Sequence, residues 1–221
     1  MKRSQINNYI DEALEFFLKN HFYLPAWAEW MPDEWQSKGA EYDEIRNSNL
    51  GWDVTDFGGD SFMYKGLTLF TLRNGILNGG RKPYCEKIMY VRENQITPIH
   101  FHWHKMEDII NRGGGSLCMQ LWKADSDEDL SSEPVKVQVD GVTTLVNNGE
   151  ILKLEMGQSI CYEPYLYHTF WAENGDCLVG EVSTVNDDIN DNRFLVKVGR
   201  YPAIVEDVPA RYMLCNEYKN L

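Results

Sequence analysis

Near the start of the chain, Ile6, Tyr9, Ile10, Ala13, Leu14 and Phe17 recur at steps of three and four residues. That period predicts an amphipathic helix with one apolar stripe, with Ser4 as its candidate N-cap. Leu24 and Pro25 end the pattern, and a tryptophan-rich stretch follows with Trp27, Trp30, Trp35 and Trp52. Within it, Pro32-Asp33-Glu34 suits the start of a short helical turn. The tryptophans fit a clamp holding the helix onto the rest of the chain better than a sugar-binding surface. From Gly58 the texture changes to short apolar runs broken by Gly and Asn. Strand-like segments recur to about Val198: KIMYVRE, TPIHFHWH, SLCMQLWKA, VKVQVDG, TTLVNNG, EILKLEMG, SICYEPY, HTFWAENG and CLVGEVSTV. Asp140-Gly141, Asn148-Gly149 and Asn174-Gly175 are turn or hairpin dipeptides between them. Many short strands with frequent turn pairs predict an all-β antiparallel sandwich or barrel with an N-terminal helical extension. The expected division is residues 1–57 for the extension and 58–221 for the barrel, packed as a single domain.

Composition narrows the partners. Apolar residues make up 43% of 221, enough for a sizeable core. The formal net charge of −13 makes the chain a poor non-specific binder of nucleic acid or anionic membrane. No apolar run of about 18 residues is present, so no transmembrane helix is expected. The five cysteines (Cys85, Cys118, Cys161, Cys177, Cys215) are odd in number, widely spread and without a C-x-x-C, which reads as reduced thiols in a cytoplasmic protein. The acidic run Asp125 to Glu133 reads as a solvated loop.

Three of the five histidines, His100, His102 and His104, fall in one strand-like stretch. Alternate residues of a strand share a face, so an H-x-H pair presents two imidazoles side by side. Buried together they need partners, and charged they would repel; a divalent metal resolves both problems. Glu107 follows closely, and carboxylates suit hard or borderline metals. His168, in a neighbouring strand, is the candidate further ligand. His21 reads as a surface or packing residue.

The order His100-x-His102, four residues, Glu107, then Gly114 resembles the first motif of the cupin superfamily. The fit selects His100 and His102 over His104. The second motif is met only by Gly157, Pro164 and His168, with Tyr165 and Ala172 replacing its Gly and Asn. The longer run HFHWHKMEDIINRGGG, with GEVSTVNDDINDNRF and GRYP downstream, resembles the D-lyxose isomerases, a cupin family of aldose–ketose isomerases. The resemblance implies a double-stranded β-helix, or jelly-roll, barrel. It implies metal ligation by His100, His102, Glu107 and His168, Mn²⁺ as the usual ion, and D-lyxose/D-xylulose and D-mannose/D-fructose as sugars. It also implies a homodimer. The ligand types themselves admit Mn, Fe, Co, Ni or Zn.

Such an isomerisation moves a proton between C2 and C1 through a cis-enediol. It needs a base for the proton and a cation for the oxygen charge. Lys105 is the candidate cation, provided the strand breaks after His104; otherwise it faces solvent. Glu181, a lone carboxylate in the apolar run CLVGEVSTV, is the candidate base, with a structural bond to Arg193, Arg112 or backbone as its other reading. Asp187, Asp188, Asp191 and Asn192 shape a loop or bind sugar hydroxyls, and Asp188 is the substrate-binding candidate among them. Asp187, Asp188 and Glu206 are further options for the base. Gly113-Gly114-Gly115 lacks the Lys-Ser/Thr of a phosphate loop and reads as a tight turn at the barrel mouth. Trp103 and Trp122 alternate with ligand-region residues and suit core positions better than a sugar platform. Two other functions remain open on the same fold. A three-His, one-Glu site supports Fe-dependent dioxygenation, which an apolar aromatic pocket would favour. A non-catalytic sugar-binding module would not need Glu181.

Overall fold

The computed structural model describes residues 1–59, 61–77 and 80–220. Helix α1 (Arg3–Lys19) is followed by the short helices α2 (Pro32–Gln36) and α3 (Asp43–Asn47). The strands are β1 (Gly51–Thr55), β2 (Leu67–Arg73), β3 (Tyr84–Val91), β4 (His100–Phe101), β5 (Glu107–Lys123), β6 (Val135–Val139), β7 (Val142–Val146), β8 (Ile151–Leu154), β9 (Ser159–Tyr162), β10 (Leu166–Thr184) and β11 (Arg193–Phe194). They form one antiparallel sheet in the order β1-β2-β3-β10-β5-β9-β6-β7, with β8 on β5, and β4 between β10 and β11. The sheet curls around its own core, the mainly β barrel with a helical N-terminus that the pattern predicts.

Alternation along the strands divides two cores. Leu67, Leu69, Met89, Val91, Ile109 and Val179 pack inside the barrel. Their neighbours Phe70, Ile88, Tyr90 and Leu178 face outward under the stripe Ile6, Ile10, Ala13 and Phe17 of α1. The tryptophans serve this outer layer. Trp52 stacks with Phe17, Trp27 lies 4.7 Å from Phe70, and Trp30 and Trp35 pack edge-on.

Two long strands replace what the sequence pattern divides. HTFWAENG and CLVGEVSTV are one strand, β10, and Asn174-Gly175 marks a bulge in it rather than a hairpin turn. The bulge has a consequence for the site. Before it the inward residues are even-numbered (Phe170, Ala172), and after it they are odd-numbered (Cys177, Val179). His168 and Glu181, which a regular strand would place on opposite faces, therefore both point inward. The three glycines lie within β5, not in a turn. A Cβ on Gly114 would meet the Asp176 carbonyl oxygen at 2.0 Å, and one on Gly115 the Gly175 carbonyl oxygen at 2.3 Å. Gly114 and Gly115 are glycines because the bulged backbone passes against them, while a Cβ on Gly113 would meet Asn20 Oδ1 at 2.8 Å.

The start of α1 also differs from expectation. Its N-cap is Lys2, whose N–H donates to Gln5 Oε1, while Ser4 bonds Asp207. Arg3, 2% exposed, donates to Glu206 and Glu217 of the C-terminal segment. Glu206 and Asp207 are thus remote from the histidines, which removes Glu206 as a base. Arg3→Met leaves Glu217 half-buried without its cation while the exposed Glu206 rehydrates. A loss of about 2–3 kcal/mol is expected, read as a fall of roughly 4–12 °C in Tm. The Arg3 hydrogen bond holds Glu206 below the ordinary glutamate range. Its contribution is present above that range and lost as pH falls through the folded pKa. The gap between wild type and variant should narrow below about pH 4.

Candidate active site

Strand β4 stops at Phe101 and the chain bends at Trp103 and His104. The bend is fixed by buried Asp191, whose carboxylate accepts from the backbone N–H of His104 (2.9 Å) and of Lys105 (2.8 Å). It turns Lys105 into the barrel, 4% exposed, and leaves His104 in solvent. Lys105 thus takes the orientation that depended on a break after His104.

His100, His102 and His168 bring ring nitrogens within 4.8 Å of one another. Each Nδ1 bonds a backbone carbonyl: Pro98 at 2.8 Å, Asp191 at 2.6 Å and Leu166 at 3.0 Å. With Nδ1–H donating to a carbonyl, a neutral imidazole turns its Nε2 lone pair inward, the arrangement of a metal-binding histidine. Burial, with its imidazole neighbours, holds His100 well below the usual histidine range, and burial pulls His168 down to about 4. Nε2 of His102 is buried without a hydrogen-bond partner among the described residues. Glu107 Oε1 lies 3.4 Å from His102 Nε2 and 3.3 Å from His168 Nε2. Tyr162 stacks on His168 at 4.5 Å and fixes its plane. Three inward lone pairs and one carboxylate fit a divalent cation, and the cluster is compatible with a metal site.

Beside this cluster is a run of buried charge. Lys105 Nζ lies 2.6 Å from Glu107 and 3.0 Å from Glu181. Lys87, paired with Glu181 across the β3–β10 ladder, brings Nζ to 3.1 Å from the same Glu181 oxygen and also donates to Asn186 (2.8 Å). Burial alone would raise the Glu107 carboxyl, but Lys105 and His102 outweigh it and hold it well below the usual range. Burial alone would lower both lysines. Glu107 and Glu181 instead hold Lys105 up, and Glu181 and Asp188 hold Lys87 up. Both ammonium groups therefore stay protonated at neutral pH. Arg193 and Arg112 do not pair with Glu181. One cavity, open to solvent, joins the three histidines, Glu107, Lys105, Lys87, Glu181, Asp188 and Arg200 to the apolar wall of the barrel.

The family model described as D-lyxose isomerase matches residues 1–218. The D-lyxose/D-mannose isomerase of Escherichia coli O157:H7 is 51% identical over 224 residues, 99% of each chain. This chain belongs to the D-lyxose isomerase family. A second relative, the D-lyxose/D-mannose isomerase of Serratia proteamaculans, is 49% identical over 99% of this chain and 98% of its own. Among solved structures, the L-ribose isomerase of Cellulomonas parahominis with L-psicose has a TM-score of 0.63 at 16% identity, covering 93% of this chain and 98% of that one. The L-ribose isomerase of Geodermatophilus obscurus gives 0.60 at 15% identity, with 93% and 98% covered. At such identity the likeness establishes the shared fold alone.

In this D-lyxose isomerase family member the acidic cluster near the C-terminal end of β10 separates by role. Asp188 lines the cavity with Arg200 3.0 Å away, while Asp187 caps its own loop through Ile189 and Asn190. The Asp125–Glu133 loop is not merely solvated. Glu128 accepts from Trp103 and Arg193, and its carbonyl from Tyr167. Trp103 is thereby a tether, and neither it nor Trp122 lines the cavity. Lys87 and Arg200 were not candidates from sequence. Lys87 had one visible signal: it alternates in phase with Met89 and Val91, a lysine on a core face.

Proposed function

We propose that this aldose–ketose isomerase interconverts D-lyxose with D-xylulose, and D-mannose with D-fructose, through a cis-enediol. The observation that carries the reading is the Lys105–Glu181 pair, 3.0 Å apart and buried, opening into the same cavity as the His100–His102–Glu107–His168 cluster. Those four residues would hold the metal, taken as Mn²⁺. When bound, it supplies Lewis acidity that polarises the carbonyl and holds the open-chain sugar. Glu181 takes the proton from C2 as the C1=C2 double bond forms and negative charge moves onto O1. Lys105, kept protonated, stabilises that charge. The hydroxyl proton passes from O2 to O1, and Glu181 returns its proton to C1 as the C2 carbonyl forms. Lys87 and Ser183 hold the Glu181 carboxylate in place through Oε1, the oxygen that Lys105 also reaches. Asp188 binds a sugar hydroxyl. The six charged side chains in the cavity favour a polyol over the apolar substrate of a dioxygenase.

Five unpaired cysteines support a reducing, cytoplasmic setting, and the family resemblance supports a homodimer. Among the described residues no helix is long and apolar enough to cross a membrane. The test is turnover by protein stripped with chelator and reloaded with Mn²⁺. Ketose from D-lyxose and from D-mannose, lost on stripping and regained on reloading, is the expected result. No ketose with any divalent metal, despite stoichiometric binding, would overturn the assignment for these sugars.

A further inference from the structure

Phe57 has φ +53°, a left-handed backbone that a bulky aromatic rarely adopts. It is held there from both sides. Its N–H donates to Thr55 Oγ1 (2.9 Å), Thr55 Oγ1 donates to the Arg200 carbonyl (2.6 Å), and the Phe57 carbonyl accepts from Gly199 N–H (2.9 Å). A Cβ on Gly58 would lie 3.1 Å from Gly199 Cα, so two glycines let the backbones meet. The clasp joins the end of β1 to a segment some 140 residues later. Strain sustained by this many contacts calls for a use.

What the clasp delivers to the cavity is one aromatic face and one cation. The Phe57 ring packs edge-on against Phe194 at 6.2 Å, and Phe194 in turn stacks on His100 at 5.4 Å. Arg200 Nη2 bonds Asp53 and lies 3.0 Å from Asp188, while its Nη1 is buried with no hydrogen-bond partner among the described residues. An unmade bond at a buried guanidinium costs about 1–3 kcal/mol and needs a reason. Phe57 and Arg200 both line the cavity that holds the histidines. Transfer of the proton between C1 and C2 uses neither.

We propose that the Phe57–Arg200 clasp recognises the part of the sugar beyond C3. The Phe57–Phe194 wall receives its C–H face, and Arg200 Nη1 donates to one of its hydroxyls. Asp53 and Asp188 already balance the guanidinium charge, so the free N–H suits a neutral hydroxyl rather than a phosphate. The inference rests on the isomerase reading of the same cavity.

The test compares D-lyxose with L-glyceraldehyde, which keeps C1 to C3 with the C2 configuration of D-lyxose and lacks C4 and C5. Arg200→Lys keeps a cation on the two carboxylates but removes the fork. It should lower kcat/KM for D-lyxose by about 10–100-fold, chiefly through KM, and leave L-glyceraldehyde within about threefold. Phe57→Leu, which keeps the apolar bulk but loses the flat face, should shift the same ratio in the same direction. Equal losses on both sugars, or no loss, would overturn the clasp as a recognition element. Calorimetric binding of D-arabinitol, which cannot isomerise, separates the two readings. Weaker binding by the Arg200→Lys protein, with Tm and Mn²⁺ stoichiometry kept, supports the clasp even if no sugar is turned over. Unchanged binding counts against it even if D-lyxose is converted.

Discussion

Replacing His102 with alanine is expected to abolish stoichiometric Mn²⁺ binding and, with it, more than about 10⁴-fold of D-lyxose turnover. The expectation comes from the position of the ring. His102 is 6% exposed, its Nδ1 is committed to the Asp191 carbonyl, and its Nε2 is buried without a hydrogen bond among the described residues. An imidazole nitrogen placed that way is costly unless something electrophilic meets it. The alanine variant removes one of three inward lone pairs and leaves Glu107 facing His168 alone. Folding should survive, because the ring lies against a cavity rather than inside the packed core. Metal content after dialysis and the circular dichroism spectrum are the two readouts. Full metal occupancy with a native spectrum would mean that the cluster is not the metal site. His104→Ala serves as the control from the same stretch: exposed, it should change neither metal content nor rate.

Much of this site was legible in the chain because its signals are local. An H-x-H pair followed by Glu107 needs only strand alternation and a short step to bring three candidate ligands together. His168 is the non-local member, and it was found because so few histidines were available to join the pair. The supporting residues were not legible for the same physical reason that makes them effective. Lys87 and Glu181 meet only through the β3–β10 register, and Arg200 reaches the cavity through a clasp to Thr55 and Phe57. No spacing rule links positions that are paired by a tertiary fold. The bulge at Asn174-Gly175 shows the limit most clearly. The dipeptide correctly marks φ > 0 for both residues, yet a turn and a bulge require the same backbone, and only the long pairing of β10 with β5 decides between them. Reading a turn there would have put His168 and Glu181 on separate strands with unrelated facing. The bulge puts them on one strand with a common facing, which is what places the candidate ligand and the candidate base in one cavity.

Glu181→Gln is expected to reduce kcat on D-lyxose by about 10³–10⁴-fold while leaving Mn²⁺ stoichiometry and D-arabinitol binding within a few-fold of wild type. The substitution keeps shape and hydrogen-bonding capacity and removes only the ability to take a proton. Its surroundings make this a clean comparison. Glu181 is 5% exposed, and its carboxylate meets Lys105 at 3.0 Å, Lys87 at 3.1 Å and the Ser183 hydroxyl at 3.3 Å. A glutamine oxygen can accept from the same donors, although two buried ammonium groups then share one fewer negative charge. Some loss of stability is therefore expected, of about 1–3 kcal/mol, and Tm should record it. The decisive readout is exchange of the C2 hydrogen of D-lyxose with solvent deuterium. If Glu181 removes that proton, exchange falls in step with ketose formation, because both need the same abstraction. Exchange persisting at the wild-type rate while ketose formation fails would assign the abstraction to another group and leave Glu181 a role in reprotonating C1. Undiminished turnover would reduce Glu181 to the structural partner of two buried lysines.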